Sequence, residues 1–185
     1  MGFTKNYYQL VAQGMSAVPN ENIPADWTLK NVNGGTSVLY GGIFSTNMSG
    51  GQVYATSLGA GKDTRVMLGT GTNAFAVDDY TLQTDVSSSF AKVLLDVTAS
   101  AITEKQGRTL TWVGKYVNNS NADIAVSEIG FTKNMFLPSA GGYTDVLIYR
   151  EVLAAPVTIH AGEGITVTIT FTFDGFNVLA SVSAE

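Results

Sequence analysis

From residue 165 to residue 173, apolar and hydroxyl side chains alternate without a break. Ile165, Val167, Ile169, Phe171 and Phe173 take one set of positions, and Thr166, Thr168, Thr170 and Thr172 take the other. A β-strand turns successive side chains to opposite faces, so the run predicts a strand with one apolar and one threonine face. A helix would scatter the same residues around its axis. Burying the five apolar groups contributes on the order of 10 kcal/mol before chain entropy is subtracted. The chain is committed to a sheet with a core on one side.

The rest of the second half agrees. Segments 90–97, 108–118, 122–132, 144–153 and 157–159 are rich in β-branched and aromatic residues, as strands are. Asn118-Asn119-Ser120-Asn121 and His160-Ala161-Gly162-Glu163-Gly164 read as turns between them. In the first half, Asn33-Gly34-Gly35, Gly41-Gly42, Ser49-Gly50-Gly51 and Gly59-Ala60-Gly61 punctuate short runs at 37–40, 52–58 and 65–68. Asn-Gly and Gly-Gly pairs supply the positive φ angles of tight hairpins. Residues 73–85 read as an ordered loop.

One helix is predicted, over 4–18. Phe3, Tyr7, Leu10, Val11, Met15 and Val18 recur at three- and four-residue steps, Thr4 or Asn6 caps the start, and Pro19 with Asn20 stops it. Gly14 interrupts the pattern, and a short strand over 7–11 is the alternative. The expected fold is mainly β, an antiparallel, jelly-roll-like β-sandwich with one short N-terminal α-helix. Its divisions are a helix or arm at 1–18, a Gly-rich β segment at 19–64, and a sandwich core at 65–185. The middle segment either joins the same domain or extends to an interface.

Composition removes whole classes of function. A 185-residue chain fits one domain, large enough to fold without a metal or disulfide staple. With no Cys and one His, thiolate chemistry, Cys-based metal sites and any site needing two histidines are excluded. A net charge of −5 argues against nucleic acid as the main partner, because phosphate neutralisation takes clustered Lys and Arg. The N-terminus has no basic segment leading into an apolar one, and no apolar run approaches the roughly 20 residues of a membrane helix. The chain is expected to be made in a cytoplasm, with no membrane as partner.

Charged residues make up 14% of the chain, against about 25% in an average globular protein. Disorder is a poor explanation for a chain that is 45% hydrophobic. Either the surface is neutral and polar, or other subunits cover much of it. The threonine face divides the same way. Thr suits an exposed strand, yet exposed strands commonly carry charge against edge pairing, and no Lys or Glu occurs between 165 and 173.

Candidate chemistry is thin. Gly59-Ala60-Gly61-Lys62-Asp63-Thr64 departs twice from a phosphate-binding loop, with Thr56 in place of the first Gly and Asp63 after the Lys. Asp78, Asp79 and Asp85 form the densest carboxylate group; they could hold a hard cation, and Asp79 could equally cap a turn. His160 lacks a nearby nucleophile and orienting acid, since Ser127, Glu128, Ser139 and Asp145 are dispersed. Glu128 interrupts an apolar run, and is expected either to pair with Arg150 in the interior or to face outward. Trp27, Trp112, Tyr116 and Tyr149 could stack on sugars, but core or interface packing accounts for them. No catalytic, metal or cofactor residue is nominated. The sequons at Asn47 and Asn118 have no secretory context and read as coincidence.

Two stretches carry a family resemblance. Val66-Met67-Leu68-Gly69-Thr70-Gly71-Thr72, followed by Asp79-Tyr80-Thr81-Leu82, resembles a GTGT … DY-x-L segment of tailed-bacteriophage virion proteins. Trp112, Ser127-Glu128-Ile129-Gly130-Phe131, Tyr149-Arg150-Glu151-Val152-Leu153-Ala154-Ala155-Pro156-Val157-Thr158-Ile159, Gly162 and Thr166-Val167-Thr168 resemble the core that accompanies it. The likeness covers roughly residues 65–173, departs at 134–144, and does not reach 19–60. It implies a fold and a virion role on the capsid surface, collar or tail, with no catalytic positions to carry over.

The expectation is a non-enzymatic virion protein that associates with itself and docks on capsid or tail proteins. Low charge fits a molecule hidden among copies of itself. The nominated interface residues are Phe3, Tyr7, Leu10, Val11 and Met15 on the helix, with Thr166, Thr168, Thr170 and Thr172 on the last long strand. The Gly-rich segment 34–61 is nominated with them. Removing residues 1–18 is expected to leave a folded sandwich that no longer assembles. The alternative is a carbohydrate- or receptor-binding module of a tail fibre or baseplate, with Trp27, Tyr40, Tyr54 or Tyr143 as stacking platforms.

Overall fold

The computed structural model describes residues 2–15, 28–38, 64–99, 109–137, 142–172 and 177–184. In chain order they form β1 (Gly2–Phe3), α1 (Lys5–Met15), β2 (Thr28–Lys30), β3 (Thr36–Val38), β4 (Thr64–Gly69) and β5 (Phe90–Ala99). There follow β6 (Thr109–Asn118), β7 (Ile124–Leu137), β8 (Gly142–Ile159), β9 (Gly164–Thr172) and β10 (Asn177–Ala184). Among the described residues, a first four-stranded sheet has the order β1-β8-β7-β4, a second has β10-β9-β6-β5, and β2 and β3 form a two-stranded sheet. Every pairing is antiparallel. Among the described residues the protein is mainly β with one short α-helix, as its sequence implies.

The alternation on β9 behaves as its period requires. Ile165, Val167 and Ile169 are buried, while Thr166, Thr168 and Thr170 are half-buried on the opposite face. β6 alternates in the same sense, burying Trp112 and Tyr116. The Trp112 ring lies 4.9 Å from Phe131 of the first sheet. One core cluster draws on both sheets: Val66, Ile129, Phe131 and Tyr149 from the first meet Phe90, Trp112, Val167 and Ile169 from the second.

The first sheet is covered on its other face too, so its central strands show little alternation. Residues 126–133 of β7 and 146–150 of β8 are all buried. Gly130 lies under Leu82 and Leu147, and Met67, Leu82 and Leu147 form a second small cluster with Val32 against it.

The N-terminal segment lies along the edge of β8, with Phe3, Tyr7 and Leu10 packed against the core shared by the two sheets. Thr4 Oγ1 donates to Leu147 O at 2.7 Å, and Asn6 Nδ2 donates to Leu147 O at 3.1 Å and Lys30 O at 2.8 Å. Lys30 N donates back to Asn6 Oδ1. The side chains of the two expected caps instead tie the helix to its neighbours, Thr4 to β8 and Asn6 to both β8 and β2.

Several expected boundaries differ. The strands read at 144–153 and 157–159 are one, β8. Pro156 suggested a break, but Glu128 pairs with Val152 and Val126 with Val157. Residues 153–156 therefore bulge opposite Ser127, and the missing N–H of Pro156 falls where no ladder bond is required. β2 and β10 were not foreseen. β2 pairs with β3 through the Asn33-Gly34 turn, where Gly34 has φ +86°, a conformation that favours glycine. Expected runs at 39–40 and 52–58, and the helix end at 16–18, lie outside the described residues.

Candidate functional site

The outer face of the first sheet carries a buried ionic network that fastens the loop at 70–86. The bulge between Val126 and Glu128 lets two adjacent side chains of β7 reach the same loop. Ser127 Oγ donates to Gly71 O at 3.1 Å, and Glu128 takes the loop amides. Glu128 Oε1 accepts from Gly71 N at 3.0 Å and Thr84 N at 2.9 Å, and Oε2 accepts from Gln83 N at 3.2 Å.

Arg150 on β8 completes the site. Its Nε and Nη2 lie 2.8 and 2.7 Å from Glu128 Oε2. Its Nη1 reaches Asp79 Oδ2 at 2.8 Å and its Nη2 reaches Asn73 O at 3.1 Å. The Glu128 and Arg150 side chains are 0% and 2% exposed. Two charges in such a place are tolerated because every partner is present and charge-assisted.

The loop closes on itself as well. Thr70 N donates to Thr84 O, and Val86 N to Leu68 O. Gln83 Oε1 accepts from Thr72 N and Asn73 N, and Asp79 Oδ2 from Ala76 N. Gly71 lies against Glu128 Oε1 so closely that a Cβ there would overlap it. From above, Lys5 N donates to Val77 O, while Phe75 packs on Gly2. Backbone groups are gripped from within, and residues 72–74 and 76–78 face solvent.

Some of the residues behind the family resemblance thus meet in space. Gly69, Gly71, Asp79, Leu82, Glu128, Gly130 and Arg150 all belong to this loop, its clamp or the small apolar cluster beneath. Of the two readings of Glu128, the interior pair with Arg150 is the observed one. Its oxygens are taken by five donor groups, so it is a structural acceptor.

The other nominated groups are placed as follows. Asp79 both caps a turn and pairs with Arg150, whereas Asp85 faces Ser87 and Arg65. Among the described residues, no group of three or more His, Cys, Asp or Glu is arranged to hold a metal ion. His160 meets Asp123 at 2.8 Å and is not brought to Ser127, which bonds Gly71 O. Trp112, Tyr116 and Tyr149 are core residues. Burial pushes the Tyr116 hydroxyl up to about 12. Burial first, then the bond to Glu151, raises Tyr149.

Among the nominated interface residues, Leu10 is 2% exposed in the chain's own core. The rings of Phe3 and Tyr7 stack 3.8 Å apart, and Phe3 meets Tyr149 edge-on. Leu10 is spent within the fold, while Phe3 and Tyr7 stay half-buried. The side chains of Val11, Met15 and Thr172 lie outside the described residues.

The threonine face is different. Register sets Thr111 opposite Thr170, Val113 opposite Thr168 and Lys115 opposite Thr166, all half-buried, with one charge among the six. The hydroxyls of Thr111 and Thr170 are 3.3 Å apart. Of the stacking candidates, Tyr143 is 56% exposed, while Trp27, Tyr40 and Tyr54 lie outside the described residues, as do residues 59–63 of the Gly-Lys segment. Among the described residues, no helix is long and apolar enough to cross a membrane.

Comparisons with protein-family models, curated proteins and solved structures found no match.

Proposed function

We propose that the two sheets form a β-sandwich and that the chain is a non-enzymatic structural component of a tailed-bacteriophage particle. In this reading it is made in the host cytoplasm, associates with itself, and docks on capsid, collar or tail proteins. The observation that carries the reading is that part of the resembling set, including Gly71, Asp79, Glu128 and Arg150, meets in one buried clamp that shapes the loop at 70–86. A motif that encodes a rigid loop, with its one buried carboxylate saturated, suits a molecule whose work is shape. Preorganised loops lose little entropy on docking.

The threonine face of β6 and β9 is the surface we assign to subunit contact. It is sparsely charged and half-buried in a single chain.

The test is to purify particles from cells carrying the native gene and to locate the chain with an antibody by electron microscopy. Labelling at a fixed position on capsid or tail supports the reading. A chain found only free and monomeric overturns it. A second reading, carbohydrate binding on a fibre, rests on exposed Tyr143. Glycan-array binding lost in Tyr143→Ala would favour it.

A further inference from the structure

At one end of the molecule two of the connections that pass between the sheets run side by side. Residues 119–123 lead from β6 in the second sheet to β7 in the first, and residues 160–163 lead from β8 back to β9. Their roots are fastened by Asn118. Its N donates to Glu163 O at 2.8 Å, its O accepts from Gly162 N at 2.9 Å, and its Nδ2 donates to Ala122 O and Ile159 O.

Beyond those bonds a side-chain pair joins the turns. His160 Nδ1 lies 2.8 Å from Asp123 Oδ2, and Asp123 Oδ1 accepts from Ala161 N at 3.3 Å. On its own turn, His160 N donates to Glu163 Oε2. Asp123 and Glu163 are therefore the charged groups that face this histidine, which is the only one in the chain.

We propose that His160 is a pH-sensitive clasp between the two crossover turns: with its proton it pins the 160–163 turn to Asp123, and without it that ion pair is lost and the turn tips are joined less tightly. A protonated ring donates from both nitrogens, so Nδ1–H faces a carboxylate as an ion pair. Giving that proton to solvent removes the charge and leaves one N–H to be shared between the two nitrogens.

The hydrogen bond to Asp123, then the charges of Asp123 and Glu163, hold His160 above its ordinary value. The same hydrogen bond holds Asp123 below its own. A raised histidine contributes fully below its unfolded value, and that contribution is lost as pH rises through the raised folded value. A lowered carboxylate contributes above its unfolded value and fails as pH falls through the lowered one. The clasp is closed between those limits and opens on the alkaline side. Both groups are exposed, so the effect is local.

The experiment uses the full chain. The His160 ring protons are followed by NMR against pH in the wild type, Asp123→Asn and Glu163→Gln. Amide exchange at Ala161 is measured at about pH 6 and about pH 9, corrected for intrinsic chemistry. The wild type should titrate above an unstructured histidine, with the midpoint falling most in Asp123→Asn and less in Glu163→Gln. Protection at Ala161 should drop about two- to threefold between the two conditions in the wild type and lose that dependence in His160→Gln. Near-ultraviolet circular dichroism verifies that each variant is folded. A midpoint indifferent to Asp123→Asn, or equal protection at both pH values in the wild type, overturns the proposal.

Discussion

Replacing Arg150 with Met isolates the clamp beneath the 70–86 loop. The change keeps much of the aliphatic stem and removes the guanidinium. Glu128 stays buried with three backbone donors and no counter-charge, and Asn73 O and Asp79 lose their partner. Breaking one side of a buried pair costs about 3–5 kcal/mol, a large share of the roughly 5–15 kcal/mol that keeps a domain folded. For a chain of this size, each kcal/mol shifts the thermal midpoint by about 2–4 °C, giving a fall of roughly 6–20 °C. Urea unfolding followed by tryptophan fluorescence reads the same quantity, since Trp112 is buried. Limited proteolysis should cut the variant first within residues 72–78. The double variant Glu128→Gln/Arg150→Met should recover part of the loss, because the stranded charge is gone. Arg65→Met is the control: its ion pairs span 3.5 and 3.7 Å at a half-exposed side chain, and it should cost under about 1 kcal/mol. If Arg150→Met proves as mild as Arg65→Met, the clamp does not hold the loop.

Further expectations concern the rest of the fold. Leu10→Ala should cost about 2–5 kcal/mol in urea unfolding, and removal of residues 1–18 should destabilise the domain instead of yielding a folded, assembly-deficient one. Tyr116 keeps its proton to about 12 in the folded chain and loses it near 10 when unfolded. Its contribution is therefore whole below about pH 10 and is lost as pH rises toward 12, visible as tyrosinate absorbance that lags until unfolding. Thr168→Lys should leave urea stability within about 0.5 kcal/mol and abolish any self-association seen by sedimentation. Unchanged association would remove the threonine face from the contact.

What could be read in the sequence follows where burial is one-sided. β9 is plain because only one of its faces is apolar. β7 and β8 are buried on both faces over 126–133 and 146–150, so their runs lose the period of two and their ends blur. The bulge at 153–156 hid the continuity of β8 behind a proline. β2 spans three residues, and β10 consists mostly of small ones, leaving each a faint signal. The stripe on α1 announced a need for burial but not its address, and Leu10 finds it in the same chain. Glu128 stood out as a charge in an apolar run, and its partner could be guessed. Its grip on Gly71, Gln83 and Thr84 could not, because those contacts are to backbone groups that no side-chain pattern encodes.

The bond from Thr4 to Leu147 joins residues 143 positions apart. At a ribosomal pace of about 5–20 residues per second, the opening segment waits roughly 7–30 s before the strand it covers is even synthesised. Through that interval Phe3, Tyr7 and Leu10 lack the partners on β8 that they meet in the folded chain. Residues 3–10 thus settle only after β8 has been made, with β9 and β10 still to follow.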